Sequence, residues 1–276
     1  MYKILEKHTL NEQVKLMVID APLIAKKAKP GQFIILRVHD MGERIPLTIA
    51  DHDADKGTVT IIFQEVGRTT MSLGKLNEGD SLQDFVGPLG KASHFDAGIK
   101  KAAVIGGGLG TAIAYPQTKE LHSLGIDVTT IAGFRTKQLI ILEDELNAVS
   151  DKVIITTDDG SNGNQGFVTD ALQKEIDAGE KFDLVIAIGP IIMMKFVSQL
   201  TKKYNIPTIV SMNSTMIDGT GMCGGCRLTV GGKTKFACID GPDFDGHEVD
   251  FDEAMRRSGM YKKQEDDSCR LYSEVD

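Results

Sequence analysis

The chain has 276 residues, a length that suits two domains better than one of average size. It carries 39 acidic against 31 basic residues, a formal net charge of −8, and no clustered basic face, which argues against nucleic-acid binding. Hydrophobic residues make up 41% of the chain, which excludes a disordered protein, and no apolar run approaches the roughly 20 residues of a membrane span.

Residues 1–98 are predicted to form an antiparallel β-barrel. Short runs rich in β-branched residues occur at 14–18, 32–38 and 58–63, and turn signals such as Pro30-Gly31 stand between them. Short strands at regular spacing with turns between them favour a closed antiparallel barrel.

Residues 99–212 are predicted to form an α/β domain with a doubly wound parallel sheet. Helical stretches, such as those at 168–178 and 191–204, alternate with short apolar runs that read as buried strands. These runs lie at residues 101–105, 128–133, 153–157, 184–189 and 208–210. Alternating strands and helices are typical of a doubly wound parallel sheet.

Residues 213–276 form a third segment, which is rich in glycine as far as Gly246 and is charged and partly helical beyond it. All four cysteines lie here, at positions 223, 226, 238 and 269. The N-terminus has mixed charge and no long apolar stretch, so we expect no secretory signal and a cytoplasmic protein. Cysteines confined to the tail of such a chain indicate a metal or cluster site rather than a disulfide scaffold.

A glycine-rich loop follows the first strand predicted in the α/β domain. Gly106, Gly107, Gly108, Gly110 and Thr111 come directly before a helical stretch. Glycines let backbone N–H groups approach a pyrophosphate, and the N-terminus of a helix favours its negative charge. The loop therefore predicts a dinucleotide site, with a tight turn between strand and helix that binds no ligand as the alternative.

Two elements of the barrel supply groups that can bind phosphate. Arg44 precedes Pro46, Leu47 and Thr48, and an arginine beside a hydroxyl can grip a phosphate in bidentate fashion. The alternative for this stretch is a surface arginine followed by an edge strand. The second element is the head of a predicted short helix, where N–H and hydroxyl donors come from Gly67, Thr69 and Thr70.

The cysteine segment has the spacing of a cluster site. Four residues separate Asp218 from Cys223, two separate Cys223 from Cys226, and eleven separate Cys226 from Cys238. Thiolates hold iron–sulfur clusters, and glycines let a loop wrap closely around one. Zinc would also accept three cysteines and an aspartate, and buried inert cysteines are the plainest alternative. Cys269 competes with Asp218 as the fourth ligand.

Two further stretches follow predicted sheet strands. Asp158, Asp159 and Gly160 read as an acidic turn ahead of a helix that begins near Asp170. Arg135 stands after the second sheet strand, where specificity for the adenosine ribose is often set, and could accept the 2′-phosphate of NADP(H). The six histidines match no ligand spacing, so no side chain is assigned a catalytic acid–base role.

In combination, the arginine motif, the Gly-x-x-Thr helix start, Gly87-Pro88-Leu89-Gly90 and the glycine loop resemble the ferredoxin–NADP reductase superfamily. The resemblance implies a barrel that holds FAD and an α/β domain that holds a nicotinamide nucleotide, which the turn at residues 158–160 would face. It implies FAD contacts from Arg44, Pro46, Leu47, Thr48, Ile62, Phe63, Gln64, Gly67, Thr69 and Thr70.

Over residues 1–260 the chain also resembles the electron-transfer subunit of class B dihydroorotate dehydrogenase, which has a cysteine at the position of Asp218. It is more similar to the small-subunit family of NADH-dependent reduced ferredoxin:NADP oxidoreductases, which has aspartate there. This resemblance implies a [2Fe-2S] cluster on Asp218, Cys223, Cys226 and Cys238. It also implies NAD(H) as the nucleotide, although Arg135 argues for NADP(H).

The same resemblance implies an oxidoreductase that exchanges a hydride with NAD(H) at FAD and relays single electrons through the cluster. The expected partner is a larger flavin and iron–sulfur subunit in a heterodimer, with ferredoxin reached through that partner and the reaction proceeding by electron bifurcation. An electron-transfer subunit of a dihydroorotate dehydrogenase and a zinc-stabilised binding module are the alternatives.

Overall fold

The structure, a computed structural model, describes residues 1–275, with side chains described as far as Leu271. The first elements are β1 (Tyr2–Thr9), β2 (Val14–Asp20), α1 (Pro22–Ala25), β3 (Phe33–Arg37), β4 (Arg44–Asp53), β5 (Thr58–Gln64), α2 (Arg68–Lys75), β6 (Ser81–Leu82) and β7 (Asp84–Leu89). The strands pair in the order β6-β1-β2-β5-β4-β3-β7, and all the pairs are antiparallel. Only Gln83 separates the two edge strands, so the sheet curls into a near-closed barrel, and the predicted antiparallel barrel is confirmed.

The two halves of β4 pair with different neighbours. Residues 44–48 pair with β3, whereas residues 49–53 pair with β5 across a bulge. The first half therefore lacks a sheet neighbour on one side, which accommodates Pro46, a residue without an N–H group. The edge-strand interpretation of this stretch holds for its first half only, because the second half lies inside the sheet.

Successive side chains of β5 point alternately into the barrel core and toward the second domain. Ile61 and Phe63 are completely buried inside the barrel, as expected for residues two positions apart on one face of a strand. Ile62 points the other way and packs with Ala132 and Phe134 of the second domain. One strand thus contributes to the barrel core and to the contact between the domains.

The second domain contains β8 (Lys101–Gly107), α3 (Gly110–Ser123), β9 (Asp127–Phe134), α4 (Glu143–Ala148), β10 (Lys152–Thr157), α5 (Val168–Asp177), β11 (Leu184–Ile188), α6 (Ile191–Lys203) and β12 (Thr208–Ser211). Its strands are parallel and lie in the order β10-β9-β8-β11-β12. The chain winds outward from β8 and then returns to β11 beside it, so the doubly wound sheet is confirmed. The switch point between β8 and β11 is where such sheets bind ligands.

The last part of the described chain contains β13 (Arg227–Val230), β14 (Lys233–Phe236), α7 (Ala237–Asp240), β15 (Asp243–Asp245), α8 (Phe251–Ser258) and α9 (Lys262–Val275). The first two strands form a hairpin, and β15 joins the parallel sheet as an antiparallel strand beside β12. The segment that follows the sheet in sequence is therefore hydrogen-bonded to it. Within the described residues, none of the helices has the length and apolar character needed to span a membrane.

Candidate functional site

A cleft of about 1100 Å³ lies between the barrel and the carboxyl ends of the parallel strands. The free side of β4 and the outer face of β5 form one wall, and the loops after β8, β9, β10 and β11 form the other. The cleft therefore covers the switch point of the sheet. Predicted site residues on its walls are Pro46, Leu47, Thr48, Ile62, Gln64, Gly107, Gly108, Gly110, Arg135 and Asp158.

Three predicted site residues lie behind the cleft walls. Phe63 is 0% exposed in the barrel core, and Thr111 is 0% exposed under Gly106, where an added Cβ would collide with the Thr111 backbone. Neither the Phe63 nor the Thr111 side chain reaches the cleft in this arrangement. At Phe63, Gly106 and Thr111, only backbone atoms could therefore contact a ligand in the cleft.

The phosphate-binding groups predicted for the barrel at Arg44 and at the start of α2 are not part of the cleft lining and lie next to Val66, which borders it. The helix α2 begins after Gly67, and the Thr70 hydroxyl accepts hydrogen bonds from the N–H groups of Val66 (3.1 Å) and Gly67 (3.0 Å). Thr69 donates to the carboxylate of Glu43 at 3.2 Å, which places the start of α2 beside Arg44.

Arg44 is exposed at the start of β4, and within the described residues no hydrogen bond or ion pair of its side chain is found. A free guanidinium group and the unpaired N–H groups of a helix start both favour an anion. Val66, immediately before the helix start, lines the cleft. The geometry therefore fits a pyrophosphate beside Val66, with Arg44, Gly67, Thr69 and Thr70 around it.

The glycine loop turns sharply from β8 into α3 at the switch point. Gly108 has a φ of +55°, which residues with a side chain rarely adopt, and nothing lies within 4 Å of an added Cβ on its open side. A Cβ at Gly110 would collide with the carbonyl oxygen of Ile188 on β11. Glycine at position 110 lets α3 approach β11 closely. Glycine at position 108 leaves the backbone accessible from the cleft.

The turn after β10 is fixed by its own polar groups. The Asp159 carboxylate accepts hydrogen bonds from the hydroxyl (2.6 Å) and N–H (3.0 Å) of Ser161, and these bonds lower its pKa. Asp159 and Gly160 therefore shape the turn beside the cleft, whereas Asp158 lines it. Asp170 accepts from the N–H of Phe167 at 3.0 Å in the first turn of α5, so the helix begins close to the predicted position.

Two of the predicted cluster ligands are already in contact. Cys226 and Cys238 are 1% and 2% exposed, and their Sγ atoms lie 3.2 Å apart. Burial, followed by the hydrogen bond to Cys226, raises the pKa of the Cys238 thiol to about 12. Two buried thiols whose sulfur atoms are in contact offer two soft donors to one metal centre.

The other two predicted ligands lie on the loop beside this pair. Cys223 is exposed, and its N–H donates to Asp218 Oδ2 at 2.9 Å, while the N–H of Thr220 donates to Oδ1 at 2.9 Å. The Thr220 hydrogen bond is the largest cause of a lowered pKa of the Asp218 carboxyl. Within the described residues no group of three or more metal-ligating side chains is assembled, so only part of the ligand set is in place.

Cys269, the rival fourth ligand, lies on α9, and this helix packs against α2 of the barrel. Asp218 instead binds the backbone of the loop that carries Cys223. The local geometry therefore favours Asp218 over Cys269 as the residue that can complete the ligand set. Three thiolates and one carboxylate fit an iron–sulfur cluster.

A buried carboxyl group joins the three parts of the chain near the cleft. Asp243 Oδ2 accepts hydrogen bonds from Ser93 Oγ at 2.6 Å and from Gln117 Nε2 at 3.2 Å. Its Oδ1 is closed off from solvent and has no hydrogen-bond partner among the described residues. Burial raises the pKa of this carboxyl, against the lowering effect of its hydrogen bonds, beginning with that from Ser93.

Sequence reasoning missed one wall of the cleft. Residues 211–213, Met216 and Pro242 come from the end of β12 and the third segment, where the periodic pattern stops. The exposed rings of Phe167 and Phe196 also border the cleft. No local signal marks these positions, because β15 reaches the sheet only through long-range pairing.

Comparison with known proteins identifies the family. The profile of the iron–sulfur cluster binding domain of dihydroorotate dehydrogenase B matches residues 213–250. A Thermotoga maritima protein described as a homolog of the electron transfer subunit of dihydroorotate dehydrogenase B is 45% identical over 263 residues, covering 95% of this chain and 92% of that protein. The chain belongs to the family of dihydroorotate dehydrogenase B electron transfer subunits and their homologues.

Solved structures extend this family assignment. A structure of the NADH-dependent reduced ferredoxin–NADP oxidoreductase, studied for flavin-based electron bifurcation, has a chain 43% identical to this family member, with a TM-score of 0.93. The match covers 99% of this chain and 98% of that one. The predicted resemblance to the small subunit of that oxidoreductase is thereby confirmed, as is the prediction of an oxidoreductase subunit.

More distant structures share the fold. The cytochrome P450 reductase of Amycolatopsis is 19% identical, with a TM-score of 0.62 over 74% of this chain and 66% of that one. The predicted combination of barrel, parallel sheet and iron–sulfur segment is confirmed for this family member.

Proposed function

We propose that the chain is the flavin- and iron–sulfur-containing small subunit of an NADH-dependent reduced ferredoxin:NADP oxidoreductase. The observation that carries this proposal is the joining of the cleft to the cysteine pair. Pro242 on the cleft wall follows Cys238 by four positions, and Met216 of the wall packs in one core with Cys226 and Cys238. A flavin in the cleft and a cluster on the cysteines would therefore be neighbours.

The cofactors are FAD, NAD(H) and a [2Fe-2S] cluster, which together exchange a hydride with the nucleotide and pass single electrons onward. Residues 1–98 form the FAD-binding unit, residues 99–212 the nucleotide-binding unit and residues 213–276 the cluster-binding unit. The chain itself binds and orients these groups.

The barrel residues fit FAD in two ways. Arg44 and the start of α2 supply cationic and N–H donors for its phosphates, whereas Pro46, Leu47 and Ile62 present apolar surface along the cleft. No strand pairs with the free side of β4, so the backbone groups of residues 46–48 on that side can form hydrogen bonds with the flavin ring of FAD. Thr48 and Gln64 add polar groups at the same wall.

The opposite wall fits the nicotinamide nucleotide. Gly107, Gly108 and Gly110 leave space for its pyrophosphate at the N-terminus of α3. Arg135 and Asp158 lie at the ends of adjacent strands, and Asp158 donates its N–H to the carbonyl of Phe134 at 3.0 Å. Asp158 brings negative charge beside Arg135, and this juxtaposition favours a ribose hydroxyl over a 2′-phosphate.

Reduction of the bound flavin by the two nucleotides tests the preference for NAD(H). Rapid mixing of the native complex with NADH or NADPH, followed by bleaching of the flavin absorbance, should give faster reduction with NADH. A strong preference for NADPH would refute this part of the proposal. The variant Asp158→Asn should narrow the difference, because it removes the charge that repels a phosphate.

A larger flavin and iron–sulfur subunit is the proposed partner, and ferredoxin is reached through it. Exposed apolar side chains lie on or near the loop of residues 218–226, here called the cluster loop: Met222 is 87% exposed, and Ile217 and Ile239 are about half exposed. Exposed apolar side chains beside a redox centre suit a protein partner that must come close to it.

Sedimentation of the native complex tests the partner surface. Met222→Glu should weaken the heterodimer, because it places a charge among the exposed apolar side chains of the cluster loop. Met41→Glu is a matched control, since Met41 is 91% exposed on the turn between β3 and β4. An unchanged heterodimer with Met222→Glu, or equal weakening by both variants, would refute this surface.

An absorption spectrum with metal analysis tests the proposal as a whole. Flavin bands, a broad iron–sulfur absorbance and two irons per chain are expected. A colourless protein that contains zinc would refute it and favour the zinc-stabilised binding module. The cytoplasmic location stays a prediction.

A further inference from the structure

Two arginines contact the backbone of the loop between two predicted cluster ligands. Arg257, in the last turn of α8, donates from Nη2 to the carbonyl oxygen of Gly225 at 3.2 Å. Arg227 donates from Nη1 to the carbonyl of Gly224 at a longer 3.5 Å. Gly224 and Gly225 are the two residues between Cys223 and Cys226. Both peptide carbonyls of this short connection thus face a guanidinium group.

The helix that carries Arg257 is fixed relative to the cluster loop. The carboxylate of Glu253 accepts a hydrogen bond from the N–H of Thr229 at 3.0 Å, and the N–H of Asp250 donates to the carbonyl of Thr229 at 2.9 Å. Thr229 lies on β13, which begins directly after Cys226. The position of Arg257 beside the loop is therefore set by hydrogen bonds between α8 and β13, the strand that follows Cys226.

The positive charge of Arg257 has no ion-pair partner among the described residues. The side chain is half-buried and donates its hydrogen bond to the Gly225 carbonyl. The adjacent Arg256 differs, because Lys195 lowers the pKa of the Asp252 carboxyl most and the charge of Arg256 contributes to the same effect. In a partly buried site, an uncompensated charge acts more strongly than it would in water.

We infer that Arg257 is a positioning residue of the iron–sulfur centre that also tunes its potential. It holds the loop through Gly225, and its charge stabilises the reduced cluster relative to the oxidised one. This inference rests on the proposed function, since it needs the cluster on Asp218 and the three cysteines. One-electron reduction adds one negative charge to the centre and takes up no proton, so a nearby cation favours the reduced state.

The test is a redox titration of the native complex with dithionite, monitored by the electron paramagnetic resonance signal of the reduced cluster. Arg257→Gln keeps a donor for the Gly225 carbonyl but removes the charge, so the midpoint potential should become more negative. Arg257→Lys retains the charge and should stay close to the wild type. Arg256→Gln is the matched control and should shift the potential less than Arg257→Gln.

The outcomes separate charge from structure. An unchanged midpoint potential in Arg257→Gln, or the same shift in Arg257→Lys as in Arg257→Gln, would overturn the tuning role. Loss of iron from Arg257→Gln with retention in Arg257→Lys would support a role of the charge at the centre, whereas loss from both would reduce Arg257 to a structural contact and overturn the tuning role. Absence of a cluster signal in the wild type would instead refute the proposed function, so the two failures are distinguishable.

Discussion

The cleft and the cysteine segment are built in different ways. The cleft is formed by two sheets whose strands are fixed by backbone pairing. In the cysteine segment, the side chains of Cys226 and Cys238 are in contact, while Cys223 is exposed on its loop. Backbone pairing alone can prepare a nucleotide site, whereas a cluster site also needs deprotonated ligands gathered by the metal.

The energetics of the two regions follow from this difference. In the cleft, glycines and a helix start present N–H groups whose charge state does not change with pH. At the cysteines, burial raises the pKa of Cys238, so a proton must leave before a metal binds. We therefore expect flavin binding in the cleft to persist when the cluster is lost. A change in any cluster ligand should instead lower the cluster content of the cysteine segment.

The largest effect is expected from Cys238→Ser. A serine oxygen is a poorer iron ligand than a thiolate, so most of the cluster should be lost, as measured by iron content and visible absorbance. Flavin content should be largely retained, because none of the predicted FAD contacts lies in the cysteine segment. Cys269→Ser is the control and should keep the iron. Loss of flavin together with iron would mean that the two regions are not independent.

Asp218→Ala should give the next largest effect. It removes a predicted cluster ligand and two hydrogen bonds from the loop, so the electron paramagnetic resonance spectrum should change and iron content should fall. Asp218→Asn separates the two roles in part, since the one amide oxygen of asparagine can still accept from the N–H of Thr220, whereas the anionic oxygen and the acceptor for the N–H of Cys223 are lost. An unaltered spectrum in Asp218→Ala, with loss of the signal in Cys269→Ala, would assign the fourth ligand to Cys269.

Arg44→Ala tests the cleft. A hydrogen bond to a charged group contributes roughly 1.5–3 kcal/mol, and each 1.4 kcal/mol is about a factor of ten in affinity. Binding of FAD should therefore weaken about tenfold or more, measured as flavin retained after dialysis. Arg44→Lys should fall between, because lysine keeps the charge but not the bidentate geometry. Full flavin retention in Arg44→Ala would contradict the assignment.

The smallest effect concerns Asp243, which joins the two regions. Its pKa is raised in the folded protein, so the unfolded chain, with a pKa of about 3.9, loses this proton first. The stability associated with Asp243 is complete below about pH 4 and is lost as the pH rises through the folded pKa. Asp243→Asn should remove this loss, so its melting temperature should rise relative to the wild type as the pH increases.

Asp245→Asn provides the control for that profile, because Asp245 is exposed on the same strand. Its melting temperature should follow the wild-type pH dependence. An Asp243→Asn profile parallel to that of the wild type would show that the Asp243 carboxyl is not held neutral.

Sequence patterns predicted much of the site because several signals were local. The glycine loop, the start of α2 at Gly67 and the helix start near Asp170 each depend on neighbouring residues, and the structure shows them as expected. The cysteine spacing likewise indicated a cluster segment, and the profile match over residues 213–250 covers it. Strand alternation did not reveal that Phe63 faces the barrel core, because both faces of β5 carry apolar side chains.

By itself, the sequence determined the order of barrel, parallel sheet and cysteine segment, since periodicity, turns and ligand spacing act over short distances. Only the tertiary structure decided that β4 changes partners after Thr48 and so leaves one side free toward the cleft. It also decided that β15 pairs with β12 and brings Pro242 to the cleft wall. These features depend on hydrogen bonds between strands distant in sequence, and short-range patterns do not specify which strands become neighbours.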